Sequence, residues 1–98
     1  MKSVIVDLIQ EPWSFEARFR DGDPIGRIYR SAEMNPPRYA FLGMIPLPTP
    51  EEAICHLFGP TVEVTTQRVT ENGAPLGPAQ VWKKIAVTEP TMTIEFKR

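Results

Sequence analysis

Two residue types that often carry chemistry are nearly absent from this sequence. It has one cysteine and one histidine among its 98 residues, which excludes a disulfide framework and a zinc site built from cysteine and histidine. It also lacks both an apolar run of the roughly 20 residues that a membrane helix needs and a signal-peptide pattern. We therefore expect no cofactor, no metal site and no membrane partner, and we expect a cytoplasmic protein.

An excess of either charge is missing as well. Eleven basic and twelve acidic residues give a formal net charge of −1, which argues against a strongly electrostatic nucleic-acid or membrane binder. Proline is in excess, with 11 positions against an average share of about 5%. Because proline interrupts helices and strand ladders, a mostly helical protein is excluded. The chain length predicts a single domain that spans residues 1–98.

Four strands are predicted before the clearest helix. The segment Val4–Ile9 is apolar on both faces, which is typical of a central strand buried on both sides. The segment Trp13–Arg20 alternates apolar and polar residues, which predicts one face in the core and one in water. Further strands are predicted at Ile25–Arg30 and Arg38–Ile45. The core face of the second strand is expected to carry Trp13, Phe15, Ala17 and Phe19.

The best-marked element is a short helix. Thr49 is a good N-cap, Pro50 suits the first helical position, and Glu52 completes a capping box with Thr49. Glu51 and Glu52 also suit the positive end of the helix dipole, and Gly59 predicts the C-terminal cap. The apolar stripe at helical spacing comprises Ala53, Ile54, Leu57 and Phe58.

Three strands are predicted after the helix. Thr61–Val69 is rich in valine and threonine, a second strand surrounds Val81–Val87, and a third alternates through Met92–Phe96. The element order β-β-β-β-α-β-β-β, with short hairpin connections, predicts an α+β fold. In this fold one short helix packs on a mainly antiparallel sheet of about seven short strands. The alternative is a small β-barrel or sandwich with one helix.

No group of residues in the sequence assembles a catalytic site. Cys55 and His56 are neighbours, but adjacent helix residues point about 100° apart, so Cys55 is expected to be a packing residue. No serine has the Gly-x-Ser-x-Gly setting of a nucleophile. The carboxylate pairs are explained by a turn and by the helix start, and the glycines are too dispersed for a phosphate loop. We expect no catalytic residue and a protein that is not an enzyme.

The arginines are more informative, because five of them fall within or next to the strands before the helix. If Arg27 and Tyr29 project to the same side as Arg18 and Arg20, one sheet face displays several guanidinium groups beside an aromatic ring. Whether they do depends on which side of Ile25–Arg30 faces the core. The residues predicted to contact a partner are Arg18, Arg20, Arg27, Tyr29 and Arg30.

These features favour a non-enzymatic protein-binding module, either an adaptor or an inhibitor, that docks through the arginine and aromatic face. Such a module fits a phage, plasmid or bacterial accessory system, although no residue identifies an origin. The loops around Met34–Pro36 and Asn72–Pro78 are further candidate contacts. A second interpretation is a solvated face without a partner, whose arginines pair with nearby acidic residues. In that case the paired residues would be Glu16, Asp21, Asp23 and Glu33. Self-association is left open.

The alternative function is a DNA- or RNA-binding protein that uses the same sheet face. The order of three strands and a helix in Trp13–Phe58, with Thr49-Pro50-Glu51-Glu52-Ala53 at the helix start, resembles in outline the three-stranded DNA-binding domains of plants and phages. The resemblance implies DNA binding. It does not extend to the first and last parts of the chain, and we do not assign the chain to that family.

Overall fold

Four strands, one helix and three further strands follow one another along the chain, so the predicted α+β element order is confirmed. The structure is a computed structural model that describes residues 2–88 and 93–97, with side chains described through residue 82. The elements are β1 (Lys2–Gln10), β2 (Ser14–Phe19), β3 (Pro24–Arg30), β4 (Tyr39–Phe41), α1 (Pro50–Phe58), β5 (Val62–Val69), β6 (Gln80–Thr88) and β7 (Thr93–Lys97).

Within the described residues the strands form one open series in the order β4-β3-β2-β1-β5-β6-β7, rather than the closed barrel or sandwich of the alternative. Five of the six neighbouring pairs are antiparallel, as predicted, but β1 and β5 are parallel. A parallel pair needs a long crossover connection. Here β2, β3, β4 and α1 together form that connection, so β1 and β5 are not joined by one of the predicted short hairpins.

The strand β1 occupies the predicted central position, but it is buried on one side only. Val6 and Leu8 are fully buried, whereas Ile5 on the opposite face is 44% exposed. The difference arises because α1 packs against one face of the sheet, where Ala53 and Ile54 join the cluster around Val6 and Leu8. The other face, which we call the open face, has no helix over it within the described residues.

Core-facing residues on β2 and β3 follow the predicted alternation, with one exception. Phe15 and Ala17 are buried as expected, but Trp13 lies in a bend before β2 and is 72% exposed. On β3 the buried side carries Ile28 together with Gly26. A Cβ atom at Gly26 would lie only 3.2 Å from the ring of Phe41, so the sheet is closely packed at this position.

The helix begins and ends where its caps predict. The Oγ1 atom of Thr49 accepts a hydrogen bond from the backbone N–H of Glu52 at 3.1 Å. Gly59 has a φ of 77°, and its N–H donates to the carbonyl of Cys55 at 3.0 Å. The buried face is rotated from the predicted stripe, because Cys55 is buried and Leu57 is 41% exposed.

The strand β4 is shorter than predicted, and side chains are described for only the start of β6. The strand predicted to reach Ile45 ends at Phe41, because a turn follows in which the N–H of Met44 donates to the Phe41 carbonyl. Val81 is exposed, whereas Trp82 is buried and donates a hydrogen bond to Thr66 at 2.9 Å. Beyond Trp82, the side chains of the strands predicted at Val81–Val87 and Met92–Phe96 lie outside the described side chains.

Candidate functional site

The open face gathers four of the five residues predicted to contact a partner. Arg18 stands opposite Asp7, Arg27 opposite Glu16, and Tyr29 opposite Ser14. Since directly opposed residues in a sheet share a face, these side chains lie on one side. Arg20 joins them because its guanidinium reaches Asp7.

Arg30 does not share the open face. It stands opposite Tyr39 and has the same alternation as the core-facing Ile28. Successive side chains of a strand point to opposite faces. Arg30 therefore lies at the end of β3 and is not part of the arginine cluster on the open face.

Each arginine of the open face is paired with a carboxylate. Arg18 contacts Glu16 at 2.7 Å. Arg20 donates to both oxygens of Asp7 at 2.9 to 3.0 Å. The third ion pair joins Arg27 to Glu11.

These ion pairs leave the arginine cluster of the open face close to electrically neutral. The predicted partner Glu16 is confirmed, but the other two arginines pair with Asp7 and Glu11, which were not among the predicted partners. Asp21 instead accepts a hydrogen bond from the Asp23 backbone N–H within its own turn. Exposed ion pairs contribute little stability, about 0–1 kcal/mol each. Their consequence is that Arg18, Arg20 and Arg27 are already engaged.

Arg30 and Arg38 differ from the other arginines. Neither has a carboxylate partner among the described residues, whereas Arg18, Arg20, Arg27 and Arg68 each have one. Both line one open depression beside β3 and β4. We call this surface the β3–β4 patch, and it consists of Tyr29, Arg30, Arg38, Leu42, Met44 and Pro46.

Apolar side chains around the β3–β4 patch are unusually exposed. Leu42 is 88% exposed, and Ile45, within the same turn region, is 65% exposed. Trp13 lies beside the patch because its carbonyl accepts a hydrogen bond from the N–H of Arg30 at 3.3 Å. Sequence reasoning missed Leu42, since it assigned this residue to a continuous strand. The adjacent Gly43 was the available signal for a turn.

The two predicted contact loops are both exposed. The first borders the patch, because Met34, Asn35 and Pro36 line a second depression together with Arg38 and Pro46. The second, residues 71–79, is exposed throughout. It is tied to the sheet by a hydrogen bond from the Gln67 side-chain amide to the Gly77 carbonyl at 2.8 Å. The first loop adjoins the β3–β4 patch, whereas the second has an exposed apolar residue of its own, Leu76.

A partly buried ion pair joins the helix to the sheet. Arg68 donates to the carboxylate of Glu51 at 2.6 and 3.0 Å, and this hydrogen bonding raises the pKa of the Arg68 guanidinium. The Arg68 Cζ atom also lies 5.2 Å from the centroid of the Phe15 ring, a distance typical of a cation–π contact. Both charges are satisfied inside the fold, so this pair has a structural role.

The single thiol of the sequence lies inside the fold. Cys55 is buried, and desolvation, with the nearby charges of Glu52 and Glu51, raises the pKa of its thiol to about 12. The thiol is therefore protonated at neutral pH and a poor nucleophile. Across residues 2–88 and 93–97, no group of three His, Cys, Asp or Glu residues is placed to hold a metal ion.

Among the residues that the structure describes, no helix has the length and apolar character to cross a bilayer. A scan against protein-family models and searches of curated proteins and of solved structures found no match to this chain.

Proposed function

We propose that this chain is a non-enzymatic protein-binding module, an adaptor or an inhibitor, that acts in the cytoplasm and docks through the β3–β4 patch and Trp13. The observation that carries this proposal is the exposure of Leu42 and Trp13, at 88% and 72%, beside the two arginines that have no carboxylate partner in the described structure. Exposed aromatic and aliphatic residues that adjoin arginine have the composition of protein–protein contact surfaces.

The proposed contact surface differs from the one that the sequence favours. Tyr29 and Arg30 remain in it, while Arg18, Arg20 and Arg27 fall outside it because each is held by a carboxylate of its own sheet. An arginine that must first leave a partner of its own gains less from an external one, by about the 0–1 kcal/mol that an exposed ion pair contributes. The surface thus moves from the middle of the open face to the β3–β4 end of the sheet.

Affinity capture with purified variants tests this function. Immobilised wild-type chain is compared with Trp13→Ser/Leu42→Ser in lysate of the source cells, and bound proteins are quantified by mass spectrometry. We expect a protein that the wild type enriches and the double variant loses. Val81→Ser is the matched control, since Val81 is an exposed apolar residue on β6, four strands away from β3 in the sheet order.

The outcome that contradicts the proposal is equally specific. If every protein enriched by the wild type is enriched to the same extent by Trp13→Ser/Leu42→Ser, the patch has no docking role. The double variant is expected to retain the fold, because both substituted side chains are mostly exposed. Circular dichroism of each variant checks this expectation.

A further inference from the structure

We propose that the β3–β4 patch recognises an acidic peptide segment of a partner protein, in which carboxylates contact Arg30 and Arg38 and neighbouring apolar side chains contact Leu42 and Tyr29. This inference rests on the proposed function and adds the chemistry of the partner. Its starting point is the contrast between the arginines. In the described structure four have carboxylate partners, and the two that lack one line the same depression.

The backbone holds these two arginines close to each other. Arg30 is opposite Tyr39 in the β3–β4 register, so Arg38 follows directly beyond the paired position. The N–H of Ser31 donates to the Arg38 carbonyl at 2.8 Å, which continues the ladder past the end of the strands. Neighbouring strands are about 4.8 Å apart. Both residues also line the same depression, so one short peptide segment that lies in it can contact both. Each guanidinium group can bind a carboxylate with two hydrogen bonds.

The rest of the surface favours a protein segment over a nucleic acid. Leu42, Met44 and Pro46 offer apolar contacts but no donors for phosphate oxygens. With a whole-chain charge of −1, the chain also lacks the excess of positive charge that extended contact with a polyanion requires. An acidic peptide with interspersed apolar residues complements both the charge and the apolar lining of the patch.

Recognition is expected to use side chains rather than the addition of a strand to the sheet. The outer edge of β4 is already occupied, because Tyr39 and Leu47 exchange backbone hydrogen bonds at 2.7 and 2.9 Å. The Phe41 carbonyl is also engaged, by the N–H of Met44 at 3.0 Å. A bound peptide would find no free ladder at these positions, so β-augmentation is disfavoured.

A fluorescence anisotropy titration of the full chain tests the inference. The probe is a labelled hexapeptide of alternating glutamate and leucine, and the matched probe has glutamine in place of glutamate. We expect the acidic probe to bind at least about tenfold more tightly than the glutamine probe at low salt, since charge-assisted contacts are the strong ones. Its affinity should fall as salt is raised.

Variants locate the contact. Arg30→Gln/Arg38→Gln is expected to weaken binding of the acidic probe at least about tenfold. The control variant Arg18→Gln/Arg20→Gln also removes two positive charges, but from arginines that have carboxylate partners. It should change the affinity for the acidic probe less than about twofold if the probe contacts Arg30 and Arg38 directly. Equal losses in the two double variants, equal binding of the two peptides, or no binding of the acidic probe would each overturn the inference. Tighter binding of single-stranded oligo(dT) than of the acidic peptide would also overturn it, in favour of a nucleic acid.

The failure of this inference is distinguishable from the failure of the proposed function. If a protein captured by the wild type is lost by Trp13→Ser/Leu42→Ser but retained by Arg30→Gln/Arg38→Gln, the patch docks a protein without acidic recognition. In that case the function stands and the inference falls. If no captured protein depends on Trp13 and Leu42, the proposed function falls, whichever peptide binds.

Discussion

Glu51 has 7% of its side chain exposed, and both of its carboxylate oxygens accept hydrogen bonds from Arg68. A carboxylate removed from water is destabilising unless a charge compensates for it. Arg68 differs from Glu51 because 38% of its side chain remains exposed. Water can therefore solvate its guanidinium group when a substitution removes the Glu51 charge. The two partners of this ion pair are therefore unequal in their importance for folding.

This inequality predicts different losses of stability for the two single substitutions. Arg68→Met leaves the buried Glu51 carboxylate without a counter-charge and is expected to lower the free energy of unfolding by about 3 kcal/mol. Glu51→Gln keeps the shape of the side chain and leaves the half-exposed Arg68 to water, so we expect about 1 kcal/mol. Urea denaturation at pH 7 measures both values. Equal losses would contradict the assignment of Glu51 as the critical partner.

The buried Cys55 thiol predicts a loss of stability at alkaline pH. Burial raises its pKa from 9.0 to about 12 in the folded chain, whereas the unfolded chain releases the proton near the ordinary value. Stability from this group is thus complete below pH 9 and declines as the pH rises toward 12. Between pH 8 and pH 10 the expected loss is about 1.4 kcal/mol.

Comparison with Cys55→Ala isolates the contribution of the thiol, because lysine and tyrosine side chains also titrate in this range. The wild type should lose more stability than Cys55→Ala between these two pH values in urea denaturation. Parallel pH profiles for the two proteins would exclude the thiol as the cause.

At the scale of single residues, patterns predicted local roles and missed distant partners. Glu51 was assigned to the helix start from its position after Thr49 and Pro50, but its partner Arg68 lies 17 residues further along the chain. The same limit applies to Arg20 and Asp7, which are 13 residues apart. The periodicity of a sequence predicts which side chains share a face of one helix or strand. Ion pairs between different elements depend instead on which elements become adjacent in the fold.

Among the elements, α1 was predicted with its exact caps because its boundaries are set by local chemistry. The Thr49 hydroxyl and the Glu52 N–H form the expected bond, and Gly59 adopts the positive φ that ends the helix. The strand β4 was predicted too long because its apolar residues continue through a turn at Leu42 and Gly43. Apolar pattern alone cannot separate a strand from a turn whose apolar residues are exposed, and the exposed Leu42 became part of the candidate site.

Removal of the N-cap tests how strongly this local chemistry holds α1. Thr49→Ala deletes the acceptor of the Glu52 N–H and is expected to lower the free energy of unfolding by about 1 kcal/mol. Thr61→Ala is the matched control, because Thr61 is exposed in the turn before β5. Urea denaturation of both variants gives the comparison, and a loss for Thr61→Ala as large as for Thr49→Ala would show that the effect is not one of capping.

For the whole molecule, the element order was predictable, but the joining of its two halves was not. Hairpin spacing correctly indicated antiparallel neighbours such as β1 with β2 and β2 with β3. The parallel pairing of β1 with β5 brings Val6 opposite Thr66 and depends on the path of the whole segment between them. No local signal encodes that path. The arrangement of charges on the open face depends instead on the antiparallel pairing of β1, β2 and β3.

That arrangement predicts weak nucleic-acid binding through the arginine face. Arg18, Arg20 and Arg27 are each held by a carboxylate, and the chain as a whole has a charge of −1. Affinity for DNA depends on cations that are free to replace counter-ions along the phosphates. If the carboxylates paired with these arginines suppress DNA binding, substitutions that remove the carboxylate charges should increase the affinity for DNA.

Asp7→Asn/Glu16→Gln removes the partners of Arg20 and Arg18 and changes the net charge by +2. Glu33→Gln/Glu71→Gln makes the same change in net charge at two exposed positions outside these ion pairs. We expect the first variant to bind a DNA duplex at least about fivefold more tightly than the second at low salt, because only the first releases arginines on one face. Fluorescence anisotropy measures both affinities. Equal binding by the two variants would mean that net charge, and not the pairing of arginines on the sheet, governs contact with nucleic acid.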